Sequence, residues 1–448
     1  MGVRTATWPP VDRASPDDMM QLAVDVGPAP MHVGAVLVLA TGPGFNVAGA
    51  QRLLGERVCA VPRLRQRLCR APPGCGRPFW ADDPAFHLGY HVRQRPCPPP
   101  GDERALLAVA AAVTGEPLPR SRPLWSATFV TGLADGSTGL VIVMNHVLAD
   151  GIGGLAVLAS LVDEVAGGLP GDLRAAGFPV PAPRARTLAA DAWAGRARRL
   201  AQPVRSVRAI RQGLAELGGP HPPGRLPATS LNRPAGQRRR LDVVAADLAA
   251  IRELGHANGG TANDVILAVI TGALQALLAS RGEDLDMVTI SVPVSARQAT
   301  TSGQLGNQVG MMPLALPADG DLVGRVTRIA AITRERKTAA AGTSAALLGP
   351  LFRLLAAAGL LRWFFGHQRL IHTFATSLRG PAAPLTFAGA AVQAVIPIPN
   401  MTGNVTATFA ALSYAGILRI TVMSDPSRVP DVAVLTTALR RELGSAAA

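Results

Sequence analysis

The chain has 448 residues, 48% of them apolar and 17% charged. At about 150 residues per domain this predicts two or three domains with a substantial core and excludes a wholly disordered chain. Its 47 Gly and 38 Pro follow no period, which excludes a collagen-like fibre. The net charge is +14, yet Lys337 is the one lysine, so the excess is of Arg. Between Gly171 and Arg240 there are 14 Arg against Asp172, Asp191 and Glu216, which places +11 of the charge in one stretch. No zinc finger, RRM signature or heptad-bearing basic helix accompanies it, so no nucleic-acid partner is expected. The stretch reads as a solvated connector, with an anionic membrane surface or a phosphate-bearing ligand as the alternatives.

The first segment, to about Pro170, alternates strand-like and helix-like runs. MGVRTATWPPVDRASPDD lacks an apolar run, so no signal peptide is expected and the chain is read as cytoplasmic. His32–Leu39, Trp125–Thr131 and Gly139–Met144 read as strands. Cys59, Cys69, Cys75 and Cys97 form neither a CxxC pair nor a zinc pattern, so free thiols and no metal are expected. Ile152, Leu155, Leu158, Leu161 and Val165 recur at helical spacing, stopped by Gly167, Gly168 and Pro170. A helix around Ala189–Leu214 is expected within the Arg- and Pro-rich stretch.

The second segment has helices at Leu248–His256, Val265–Ser280 behind a Thr261/Asp264 capping box, Leu322–Arg336 and Asp431–Leu443. Strands are predicted at Met287–Val292, Ala391–Ile398, Thr406–Leu412 and Ile417–Met423. The run Ala345 to Gly366 is interrupted by Pro350, Arg353 and Arg362 and holds no apolar stretch of 18 residues. A buried helix, a surface-lying helix anchored by Trp363, Phe364 and Phe365, and a spanning helix all remain open for it. Interleaved helices and strands predict an α/β (α+β) class.

One constellation can do chemistry: Asn145-His146-Val147-Leu148-Ala149-Asp150-Gly151. A strand delivers a His to its end, an Asp follows four residues on, and Gly opens a helix. Imidazole titrates near neutrality and can take a proton from an attacking hydroxyl. Asp150 fits either a helix cap or a partner for an Arg. None of the other seven histidines is followed by Asp and Gly at this spacing, so one site per chain is expected. Gly151, Gly153 and Ala156 fit G-x-G-x-x-A, but six residues separate them from the strand and no acidic-tipped second strand follows, which argues against a dinucleotide site. There is no G-x-S-x-G elbow, P-loop or HExxH.

Asn145–Gly151 resembles the HHxxxDG signature of the CoA-dependent acyltransferase superfamily. Further segments, in order, make the chain similar to the bacterial wax ester synthase/diacylglycerol acyltransferase family. They are Ser15-Pro16-Asp17, Pro30-Met31-His32-Val33-Gly34, Pro123-Leu124-Trp125, Leu231-Asn232-Arg233-Pro234, Asn263-Asp264-Val265, Val292 to Arg297, Gly306-Asn307 and Ser413-Tyr414-Ala415-Gly416. Two positions depart: Asn145 stands at the first His of the signature, and Ser377-Leu378-Arg379 stand where the family usually shows Asn-Val-Pro.

The resemblance implies two chloramphenicol-acetyltransferase-like domains with mixed sheets flanked by helices. The expected division is 1–170, a crossover over 171–235, and 236–448. It implies an O-acyltransferase that moves a long acyl group from acyl-CoA to a diacylglycerol or fatty alcohol hydroxyl. Acyl-CoA is a co-substrate, and no bound cofactor is expected. His146 is the implied general base and Asp150 a structural partner, paired with Arg297. Asn145, Gly151, Asn263 and Arg297 are the implied substrate-binding or structural positions, with Asn263 either a substrate contact or a helix cap. Association with a membrane or lipid-droplet surface is a further expectation. The alternatives are acyl transfer to a non-lipid hydroxyl or amine and a non-catalytic lipid-binding role.

Overall fold

The structure, a computed structural model, describes residues 11–25, 30–42, 44–148, 151–163, 178–200, 226–295, 309–339 and 354–446. Its strands are β1 (His32–Ala40), β2 (Gln66–Cys69), β3 (Phe79–Asp82), β4 (Val92–Pro96), β5 (Trp125–Thr131), β6 (Thr138–Asn145), β7 (Arg240–Asp247), β8 (Met287–Ser295), β9 (Val309–Pro317), β10 (Thr373–Arg379), β11 (Thr386–Phe387), β12 (Ala390–Ile398), β13 (Ala407–Tyr414) and β14 (Ile417–Ser424). Its helices are α1 (Pro16–Val24), α2 (Val47–Ala60), α3 (Glu103–Gly115), α4 (Gly151–Leu161), α5 (Ala185–Leu200), α6 (Leu248–Ala257), α7 (Ala262–Ser280), α8 (Leu322–Ala339), α9 (Leu361–His367) and α10 (Val432–Ala446).

Two six-stranded sheets organise these elements, in the orders β11-β12-β1-β6-β5-β4 and β7-β14-β13-β10-β8-β9. Both are mixed: β4 runs parallel to β5, and β10 runs parallel to β8 and β13. The α/β class expected from interleaving is therefore what forms. The first sheet borrows β11 and β12 from the second half of the chain. β12 pairs antiparallel with β1, Leu37 opposite Val395, across more than 350 residues of sequence.

Central strands pair on both edges and are covered on both faces, which demands apolar or small residues along their whole length. β6, TGLVIVMN, is buried at all eight positions, and so is β13. One core joins β1, β5 and β6 to α2 and α4, and includes Phe387 and Tyr414 from the second half. Another packs α3 over Val36, Val141, Ile396, Leu241 and Met423, so that α3 bridges the two sheets. The third surrounds α7 with α8, α10 and the second sheet. α7 is the one helix among the described residues long and apolar enough to cross a bilayer, and most of it lies inside this core.

Local signals account for the helix starts. The α7 capping box forms as expected: Thr261 N–H donates to Asp264 Oδ2 at 2.8 Å. Asp264 Oδ1 also accepts from the Thr333 hydroxyl at 2.7 Å, tying α7 to α8. Of the helix expected at Ala189–Leu214, the described part is α5, and its remainder lies outside the described residues. Of Ala345 to Gly366, the described part begins at Leu354 and contains α9, which is not a core helix because Trp363 is exposed.

Candidate active site

Strand β6 carries the site. It ends at Asn145, which faces His32 of β1 in the antiparallel register. His146 is the first residue beyond. Its N–H donates to Met31 O at 2.7 Å, and Leu148 N–H donates to Asn145 O at 2.9 Å, closing the turn. Close approach of β1 and β6 demands glycine at position 34, because a Cβ there would lie 2.1 Å from Ile142 O.

Asn145 performs two tasks at the departure from the family signature. Its Nδ2 donates to Asp25 Oδ2 at 2.9 Å, and its Oδ1 accepts from Val147 N–H at 3.0 Å. Asp25 in turn accepts from Met31 N–H at 2.9 Å and pairs with Arg120 at 3.3 Å. The amide thus braces the turn holding His146 against the chain leaving α1. Asn145→Ala is expected to leave a buried N–H and one side of a carboxylate without partners. This costs about 1–3 kcal/mol of stability, measured by urea denaturation.

The described histidines divide by surroundings. His32 Nδ1–H donates to Thr114 O at 2.8 Å, and His91 Nδ1–H to Trp125 O at 2.9 Å. Burial lowers the pKa of both rings. His91 is also stacked on Trp125, with ring centroids 4.6 Å apart. His372 Nδ1 accepts from Thr289 N–H at 2.9 Å, and burial pushes its pKa down to about 4. His87, His256 and His367 are exposed. His146 lines a cavity.

That cavity, of about 80 Å³, lies between the two sheets. Gly34 and Met144 line it from the first sheet, Thr376 and Ala410 from the second, and Gly154 from α4. Leu378 is shared with a cavity of about 590 Å³, whose walls include Asn263, Ser377, Arg252 and Arg379. Leu155, Leu158 and Leu412 are shared with a cavity of about 420 Å³, whose walls include Leu37, Ala156, Ala159, Val395 and Tyr414. His146 therefore stands between a space with two guanidinium groups on its wall and one bounded almost wholly by hydrocarbon.

Asn263 is not the cap of α7, since Thr261 fills that position; it lines the larger cavity. Gly151 opens α4. Asp150 and Arg297 lie outside the described residues. Asp25, Arg120, Arg252 and Arg379 were not legible as site residues, because their roles depend on neighbours distant in sequence. The one signal was Arg379 standing where the family usually has proline. Among the described residues no three His, Cys, Asp or Glu side chains cluster as metal ligands.

Two mixed sheets with a strand-end histidine in the cavity between them define the two-lobed, chloramphenicol-acetyltransferase-like class of fold. The chain belongs to the wax ester synthase/diacylglycerol acyltransferase family: the family's catalytic domain matches residues 14–266 and its C-terminal domain residues 305–445. It is 30% identical to a protein of Mycobacterium tuberculosis described as a probable diacylglycerol O-acyltransferase, over 90% of this chain and 89% of that one. Among solved structures it is similar in fold to the wax ester synthase/diacylglycerol acyltransferase of Marinobacter aquaeolei VT8. That likeness has a TM-score of 0.70 at 20% identity and covers 97% of this chain and 98% of that one. It is also similar to the starter condensation domain of rhizomide synthetase, solved as a mutant with C8-CoA. There the TM-score is 0.59 at 16% identity, over 98% of this chain and 95% of that one.

Proposed function

We propose that the protein transfers a long acyl group from acyl-CoA to the hydroxyl of diacylglycerol or a fatty alcohol, with His146 as the general base. The observation that carries this reading is the row of three adjacent cavities with His146 on the wall of the middle one. The imidazole takes the hydroxyl proton as the oxygen attacks the thioester carbonyl. The tetrahedral intermediate collapses, the C–S bond breaks, and the imidazolium returns its proton to the leaving thiolate. Such base catalysis supplies about 10²–10⁴ in rate, and holding both substrates in line supplies more. Proton balance closes without an acyl-enzyme.

The two flanking cavities differ as the two substrates do. Arg252 and Arg379 suit the phosphates of CoA on the larger side, where Asn263 serves as a substrate contact. The hydrocarbon-walled cavity suits an alkyl chain. It favours a lipid acceptor over a small polar one, which would leave this surface without a partner. Asp150 and Arg297 are assigned as the pair supporting the loop after His146. A diacylglycerol acceptor stays in a lipid phase, so the site of action is the cytoplasmic surface of the membrane or of lipid inclusions.

The test is release of free CoA thiol from palmitoyl-CoA, screened against hexadecanol, diacylglycerol and a panel of small alcohols. Turnover with the two lipids is expected to dominate. Ala159 and Ala156 are exposed into the hydrocarbon-walled cavity, so Ala159→Trp fills it without disturbing the core. That variant is expected to lose long-chain turnover at least tenfold while keeping short-chain turnover. Turnover confined to small alcohols, with Ala159→Trp without effect, would overturn the lipid assignment.

A further inference from the structure

The described residues from Leu354 to Arg369 present hydrocarbon outward. Leu354 is 67%, Leu360 50% and Trp363 64% exposed, whereas Leu361 is buried and Phe364 and Phe365 are half-buried beneath them. Large exposed apolar side chains occur singly on most surfaces; here three fall within ten residues, Leu354 on the preceding helical turn, Leu360 at the cap of α9 and Trp363 on α9 itself. The patch is rimmed by the exposed guanidinium groups of Arg362 and Arg369, and no Asp or Glu occurs from residue 354 to 372. A tryptophan and leucines beside arginines match the boundary between acyl chains and anionic headgroups.

The position of α9 links this patch to the active site. Asn404 N–H donates to Phe365 O at 3.0 Å. Gly403, at φ +65°, comes so close that a Cβ would lie 2.4 Å from Phe365 O. The same loop begins with Pro399 and Asn400, which line the His146 cavity. On its other side α9 contacts α1, and the chain leaving α1 provides the Asp25 that holds Asn145.

We propose that Leu354, Leu360 and Trp363, with Arg362 and Arg369, form the surface by which the protein sits on an anionic phospholipid layer, beside the loop that borders the catalytic cavity. The apolar side chains enter the headgroup boundary and the two arginines meet lipid phosphates. That this contact brings the acyl acceptor toward His146 rests on the acyltransferase reading; the contact itself does not.

The test reads lipid binding without turnover. Full-length protein is sedimented with vesicles of equal phosphatidylglycerol and phosphatidylcholine, and with phosphatidylcholine alone. The wild type is expected to partition onto the anionic vesicles. The triple variant L354S/L360S/W363S is expected to lose at least tenfold of that partition with an unchanged melting temperature, since the three side chains are exposed. Arg362→Gln is expected to lose about fivefold on anionic vesicles alone. A second readout uses a conservative variant: brominated lipid quenches wild-type tryptophan emission, and Trp363→Phe removes that component. Failure of the wild type to bind, equal binding by the triple variant, or quenching unchanged in Trp363→Phe overturns the proposal, whatever the acyl-transfer assay gives.

Discussion

His146→Ala is expected to fold as the wild type does and to lose acyl transfer by a factor of about 10²–10⁴. The fold survives because what positions residue 146 is its backbone: its N–H bond to Met31 O and the Asn145 bridge from Asp25 to Val147 do not involve the imidazole. Function is lost because no other described histidine lines the His146 cavity or either of the two beside it. His32 and His91 are committed to backbone carbonyls, and His372 is buried against Thr289. CoA thiol release from palmitoyl-CoA reads the activity, and a urea midpoint within experimental error of wild type reads the fold. Wild-type turnover in purified His146→Ala would remove the base from the mechanism and leave only the architecture.

The largest stability effect is expected far from the site, at Glu442. Its Oε2 pairs with Arg325 Nη2 inside the core formed by α7, α8 and α10, where Arg325 is 3% exposed. The guanidinium also donates through Nε to Ala268 O at 3.2 Å and through Nη1 to Gly320 O. Glu442→Ala leaves that cation buried without its counter-charge, at a cost of about 3–5 kcal/mol. The loss is read as a lower urea midpoint at an unchanged denaturant slope. Arg325→Met combined with Glu442→Leu is expected to recover most of it, because removing both charges also removes the desolvation penalty. A loss under about 1 kcal/mol in Glu442→Ala would mean that water reaches the guanidinium.

What was legible in the sequence follows the range of the interactions. The run Trp125–Thr131 forms a strand with the bounds its composition suggests, and β1, β6, β8, β12, β13 and β14 begin and end within a few residues of expectation. β-branched runs carry that information locally, as Thr261 and Asp264 carry the start of α7. The four-residue strands β2 and β3 and the longer, proline-containing β9 lie outside the predicted strands, because such runs lack a clear period. The helices α1 to α3 likewise lie outside the predicted elements.

The candidate site divides in the same way. His146 at a strand end and Gly151 at a helix start are matters of neighbouring residues, and reading alone placed them. The consequence of asparagine at position 145 was not readable, since the Asp25 that receives its amide lies 120 residues away. Nor could any pattern show that Leu378 separates two cavities, or that Arg379 stands on the wall of one.

By itself, then, the sequence determined the class of fold, most central strands, the histidine and the family. All of these are written in spacings of a few residues, where backbone preference and side-chain alternation act. Only the tertiary structure decided that β12 lies beside β1, that cavities lie on either side of the one His146 lines, and that Trp363 faces outward. Those depend on which surfaces meet across hundreds of residues, and a contact of that range leaves no period in the chain for a reader to find.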